Sequence, residues 1–197
     1  MSTLNGQTAE ITWGSSENIT DITQASSAVI SVASTSGFAS GDRVIIQSVT
    51  GMTEINGLHG TISSVVTDTS ITVNINSTGF SSYTSGGTIT KVIDITKFTI
   101  TKKGKVSDVT DSSSTYEEFV ATGYVEVSGS FEGYLKSGVS KPTFHSEIAF
   151  VFYEDSSNYL SGSGIITDEG TSVDIVGTNA VQVTYTFQGT GTYSDTN

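Results

Sequence analysis

The chain has 197 residues, with 21 Gly, one Pro, no Cys and a formal net charge of −12 from eight basic and twenty acidic residues. The length suits one domain with an insertion or two small domains, and the missing Cys excludes disulfides, thiolate metal sites and a cysteine nucleophile. The acidic balance excludes a protein that grips nucleic acid through its phosphates, though not one that must repel them.

Abundant Gly, Ser and Thr beside a single Pro predict many short strands joined by glycine turns, an all-β fold. The N-terminal MSTLNGQTAE shows no basic stretch followed by an apolar one. The longest apolar run, Ile148 to Tyr153, is too short to cross a bilayer. The expectation is a soluble protein made in the cytoplasm.

In chain order, TAEITWGSSENITDI (8–22) predicts a hairpin turning at Gly14-Ser15-Ser16, with Trp13 as a core or interface anchor. The runs AVISV, RVIIQSV, TISSVV, SITVNI and TITKV follow between about Ser27 and Thr90, separated by glycine-rich connections. Five such runs in so short a span predict a small barrel. In VIDITKFTI, Ile93 and Ile95 share one parity while Phe98 and Ile100 share the other, so a bulge near Thr96 and Lys97 is needed to keep both pairs inside. Lys102-Lys103-Gly104-Lys105 reads as a hairpin turn, and DVTDSSSTYEEF as an acidic loop.

TGYVEVSGSFEGY then alternates, with Val125, Val127 and Phe131 facing inward and Glu126, Ser128, Ser130 and Glu132 outward. EIAFVFYE is apolar at nearly every position, as a strand covered on both faces would be. Its neighbour GVSKPTFHSE has room for one helical turn with Pro142 early in it, and the remaining tail supplies two or three strands. In VQVTYTFQ, Val181, Val183, Tyr185 and Phe187 point one way, and Gln182, Thr184, Thr186 and Gln188 the other. That polar face is unusual because it carries neutral hydrogen-bonding groups where an ordinary solvent face carries Lys and Glu.

Catalytic signals are absent. No HExxH, GxSxG, P-loop or GxGxxG pattern occurs. His59, in GLHG, reads as a turn residue and His145 as an edge residue. The adjacent pairs Glu117-Glu118, Glu154-Asp155 and Asp168-Glu169 would point to opposite faces on a strand and read as solvated loop charge. Asp168, Gly170 and Asp174 lack calcium-loop spacing. No cofactor and no metal is expected. The basic cluster Lys97 to Lys105 reads either as a solvated loop or as the complement of acidic surface on a neighbouring copy.

LNGQTAEITWG, then SxxxEF, GSFEGY, YxSGxxIIT and YTFQGTG in that order resemble the major tail tube proteins of long-tailed bacteriophages, over residues 4–22 and 92–192. The stretch GDRVIIQSVTGMTEINGLHGTISSVVTDTSITVNINSTGFSSYTSGG is similar to a small β module of phage proteins named after the first catalytic cysteine half-domain of ubiquitin-activating enzymes. Its name implies no catalysis here, because the chain has no Cys. The resemblance implies a discontinuous tail tube domain (1–25 and 91–197) of β-sandwich or partial-barrel form, with at most a short helix, and an inserted small β-barrel domain (26–90). One departure stands out: relatives carry a longer helix where LKSGVSKPTFHS leaves room for little more than a turn.

What the resemblance implies for function is a virion structural protein, hexameric rings stacking into a tail tube that conducts genome DNA. Its partners would be further copies of itself, the tape measure protein and the tail terminator and distal tail proteins, with no membrane. It would be assembled in the host cytoplasm. The candidate channel lining is Glu126, Ser128, Ser130 and Glu132 with Gln182, Thr184, Thr186 and Gln188. The candidate inter-ring contacts are Lys102, Lys103, Lys105, Asp108, Asp111, Glu117 and Glu118. The inserted module would project outward to brace rings or adhere to a host surface. An adhesin or carbohydrate-binding β module, and a tube protein of a contractile tail, remain alternatives.

Overall fold

The computed structural model describes residues 8–93, 95–135, 141–153, 159–173 and 181–195. They form eleven strands: β1 (Thr8–Ile22), β2 (Val29–Val32), β3 (Arg43–Thr50), β4 (His59–Val66), β5 (Ser70–Val73), β6 (Ser85–Val92), β7 (Ile95–Asp108), β8 (Phe119–Leu135), β9 (Glu147–Tyr153), β10 (Tyr159–Val173) and β11 (Val181–Asp195). The fold is all-β; among the described residues the only helical element is a 3-10 turn at Thr53–Ile55.

The ladder runs β2-β5-β4-β3-β6-β1-β9-β10-β11-β8-β7, and β2 also pairs with β1. That extra pairing closes β1 to β6 into a six-stranded barrel, which leaves no edge there. The five expected strands are all present, and β1 supplies the sixth wall. Ile19 and Ile22 of β1 pack with Ile30, Val44, Ile46, Ile62, Ile71 and Ile89 in one apolar interior. Asn56 substitutes for a missing rung: its carboxamide accepts from Val49 N at 2.7 Å and donates to Val49 O at 2.9 Å.

No hairpin forms at residues 8–22. β1 is one strand of 15 residues that pairs with three partners in turn. It pairs with β9 over Thr8–Trp13, with β6 over Thr12–Asn18, and with β2 over Ile19–Ile22. Gly14 has φ +66°, and the β6 register slips between Thr12 and Ser16. The apparent turn is therefore a bulge that lets one strand leave one sheet and enter the next.

The remaining strands, β1-β9-β10-β11-β8-β7, make an open curled sheet. Phe98 of β7 stacks on Phe152 of β9 with ring centroids 4.6 Å apart, although three strands lie between them in the ladder. Ile93 N donates to Ile11 O at 2.9 Å, drawing the first and last strands together at one corner. Phe131, Phe150, Phe187 and Tyr185 fill the concavity, each at most 1 % exposed. Gly129 permits this approach, since a Cβ there would lie 2.4 Å from Thr99 O and 2.8 Å from the Phe187 ring.

The expected bulge in β7 is present: its register against β8 shifts between Ile95 and Lys97. Ile93, Ile95, Phe98 and Ile100 all pack against the open-sheet core as a result. Several other expectations fail. Lys102–Lys105 is no turn, because β7 continues to Asp108 with a further bulge between Gly104 and Val106. β9 is not covered on both faces: Ile148, Phe150 and Phe152 are buried, whereas Glu147 and Ala149 are not buried and Val151 is half-buried. Val125 is 57 % exposed because β8 has left the core by that point.

Among the described residues of the Pro142 segment there is no helical turn. Phe144-His145 is a tight turn with His145 at φ +66°, and Tyr185 Oη donates to Pro142 O at 3.3 Å. His59 opens β4 rather than sitting in a turn. Asp168-Glu169 lies within β10 rather than in a loop. Glu154-Asp155 and Asp174 fall outside the described residues.

Candidate functional site

Strand register brings the eight candidate lining residues onto one face. Thr184 lies opposite Glu132, Thr186 opposite Ser130 and Gln188 opposite Ser128. Side chains alternate with a period of two, so directly opposed residues share a face. The same face continues onto β7 through Lys97 (opposite Glu132), Thr99 (Ser130), Thr101 (Ser128) and Lys103 (Glu126). On β10 it continues through Asp168, Gly170 and Ser172, opposite Thr186, Thr184 and Gln182. None of these named positions carries an aliphatic or aromatic side chain, although the register continues past Glu132 to Tyr134, opposite Gln182. The reverse side holds Val127, Phe131, Val183, Tyr185 and Phe187, all buried.

The polar groups are partly tied down. Gln182 Nε2 donates to Glu132 Oε2 at 3.0 Å, Gln188 Nε2 to Val127 O at 3.0 Å, and Thr167 Oγ1 to Thr186 O at 3.3 Å. Two lysines on this face escape a reading of the sequence by parity alone, since the bulge after Ile95 sets which β7 residues point outward. Lys97 Nζ lies 3.5 Å from Glu132 Oε1, and Lys103 stands in register with Glu126. Each cation thus has a carboxylate opposite it, leaving Asp168 as the unbalanced charge.

The candidate inter-ring residues belong to a hairpin arm rather than to a short loop. Beyond Ile100, β7 and β8 run on as a two-stranded ribbon in which residues 101–113 and 115–123 are all exposed. At its root Lys102 forms an ion pair with Asp195, while Lys103 and Lys105 make none with a described residue. At its tip two carboxylates build the turn. Asp108 Oδ1 accepts from Thr110 N at 2.9 Å, and Asp111 Oδ1 accepts from Ser113 N at 2.7 Å and Ser113 Oγ at 2.6 Å. The Thr110 and Ser113 hydroxyls and amides hold both carboxyls below their ordinary pKa, so the tip keeps its charge into mild acid. Glu118 N donates to Thr110 Oγ1 at 2.9 Å, and the Glu117 and Glu118 side chains are exposed.

The arm also carries apolar side chains: Tyr116 is 82 % exposed, and Val106, Phe119, Val120 and Val125 are each more than half exposed. Where it leaves the sheet, a cleft of about 640 Å³ is lined by Lys105, Val106, Val125, Glu126, Gln188 and Tyr193, among others.

The barrel meets the open sheet through a buried lysine. Lys91 Nζ lies 3.3 Å from Asp42 Oδ2, donates to Gly37 O at 2.8 Å and sits 4.2 Å above the Trp13 ring. Trp13 is the anchor expected, and the lysine over it comes from the far end of the barrel segment.

No group of three or more metal-ligating side chains comes together among the described residues. His145 lies against the neighbouring Phe144 ring at a tilt of 36°, with centroids 3.9 Å apart, and Glu169 forms an ion pair with Lys141. Among the described residues no helix is long and apolar enough to cross a membrane.

Residues 25–93 match the ubiquitin-activating enzyme E1 FCCH domain. This FCCH-like segment is less than half of the chain and coincides with β2 to β6 of the barrel, leaving outside it the β1 strand that completes the wall. A solved structure described as "Tail of empty GTA particle computed with helical refinement, C6 symmetry" is similar over 55 % of this chain and 87 % of that chain, at 16 % identity and a TM-score of 0.43, a distant likeness. A search of the curated proteins finds no match to the sequence.

Proposed function

We propose that the chain is a structural subunit of a bacteriophage tail, a tail tube protein whose copies close into hexameric rings and stack around a channel for genome DNA. The observation that carries this reading is the polar face of β7, β8, β10 and β11, backed by an aromatic core. Thr, Ser and Gln dominate it, and its two lysines stand opposite glutamates. A surface whose cations are matched by carboxylates releases few counterions from DNA and gives phosphates little to hold, so a duplex slides over it. The order of the resembling segments and the FCCH-like module support the same reading.

The open sheet supplies the means of closure. In a single copy β7 ends the ladder, with its outer edge unpaired among the described residues. So long an edge is an aggregation hazard that a shared barrel around a ring removes. The eight lining candidates would then face the bore, and the arm would reach a neighbouring copy. The barrel, on the far side of β1 from the polar strands, would stand outside the tube as a brace. The tape measure and the terminator and distal tail proteins would be the other partners, met inside and at the tube's ends.

Electron microscopy of the purified protein tests this. Six-fold annuli or hollow rods with Thr186 and Ser130 lining the lumen are expected. Dispersed monomers at high concentration, or a reconstruction placing that face on the exterior, would overturn it.

A further inference from the structure

A two-stranded ribbon standing alone in water is marginal, and this arm adds the further burden of an almost fully exposed tyrosine and five roughly half-exposed apolar side chains, Val106, Val109, Phe119, Val120 and Val125. Its remaining charges are separated by sign. Lys105 lies toward the root, Asp108, Asp111, Glu117 and Glu118 at the tip, and none of these is in an ion pair with a described residue, while Lys103 stands in register with Glu126. Lys105 and Val109, whose amide pairs with Glu118, are four residues apart along the arm, a backbone separation of about 14 Å, and no ion pair joins Lys105 to Glu118 within one copy. The root cleft of about 640 Å³ offers Val106, Val125 and Tyr193 beside Lys105, and Glu126, also in its lining, stands in register with Lys103, which leaves Lys105 as the cation open to a partner.

We propose that the arm tip of one copy seats in the root cleft of another copy. Tyr116 enters between Val106, Val125 and Tyr193, and Glu117 and Glu118 meet Lys105. This rests on the self-assembly reading above and deepens it by naming which surface meets which. Tip and root are different surfaces of the same chain, so the contact is head-to-tail: each copy offers one of each, and successive copies share a single polarity. Charge sets the register and the tyrosine supplies the anchor.

The absence of Cys from the chain makes a clean test possible. Tyr116→Cys and Val125→Cys variants, both at exposed positions outside either core, are mixed and oxidised under conditions where the wild type assembles. Disulfide dimers that need both variants are expected. Failure to cross-link in sedimenting assemblies, or dimers from Tyr116→Cys alone, overturns the seat while leaving the ring reading intact. A wild type that stays monomeric removes both. A further measurement covers the charges. Lys105→Glu should raise the concentration for half-assembly about tenfold, and adding Glu118→Lys should bring it back to within about twofold of wild type. Equal damage from both single variants with no recovery in the double would count against the pairing.

Discussion

The small barrel and the open sheet are built from the same kind of strand and solve the edge problem in opposite ways. The barrel closes on itself through β1 and β2 and leaves no free strand edge around its wall. The open sheet curls over its core, keeps the outer edge of β7 free among the described residues and lets a ribbon run past the last buried side chain. Closure makes the barrel self-sufficient; the open sheet has the form of an unfinished wall, as the proposed ring subunit would require.

The largest effect tests whether the two cores are energetically separate. Phe187→Ala removes the ring that neighbours Phe131, Phe150 and Phe152 and should cost about 3–5 kcal/mol. Denaturant unfolding should show this loss in the open sheet, while slow-exchanging barrel amides such as those of Ile46 and Ile71 keep their protection. Equal loss in both would mean that β1 couples them into one cooperative unit.

Of similar size is the joint. Lys91→Met leaves the Asp42 carboxylate, itself 1 % exposed, without its lysine and should cost about 3–5 kcal/mol. Pairing it with Asp42→Asn should recover a good part, measured by thermal melting. Next comes Gly129→Ala, whose added methyl meets Thr99 O and the Phe187 ring, at about 1–3 kcal/mol.

Tyr185 makes the open sheet sensitive to alkali. Burial, with the Glu169 carboxylate adding to it, pushes its phenol well above the ordinary value of 10.0. A group whose folded-state pKa is raised contributes stability below the unfolded value and loses it as pH climbs past that value. Stability should therefore fall above about pH 10, and Tyr185→Phe should flatten that fall in a pH series of melts. The smallest effect belongs to the polar face. Lys97→Met breaks a pair in which Lys97 is 67 % and Glu132 27 % exposed, and should change stability by about 0–1 kcal/mol.

The legible parts of the sequence were those where one pattern decides one structure. VQVTYTFQ alternates without a break, and its two faces fall as that alternation requires. The five barrel runs are short and bounded by glycine. Where Gly had two meanings, the shorter-range one misled: Gly14 and Gly104 suggested turns and instead mark bulges, because tertiary pairing on both sides of a strand is invisible locally. The real turn after β7 uses Asp108 and Asp111 as side-chain caps within a run that looked like featureless acidic loop. Lys97 on the polar face could have been found by carrying the parity change at the bulge through to its outward residues. The Lys91–Trp13 contact spans 78 positions and leaves no local trace.

The shared strand bears on how such a module is gained or lost. β1 runs unbroken from one unit into the other, and Ile19 and Ile22 lie in the barrel's interior. Excising residues 26–90 would strand two isoleucines in solvent and bare a length of backbone that β2 and β6 now cover. Evolution cannot slide this piece out like a bead from a string. If the barrel is an insertion, as proposed from the resemblance, a relative without it would need a different N-terminal strand as well, and the structural seam would fall at Gly14, where β1 passes from one sheet to the next.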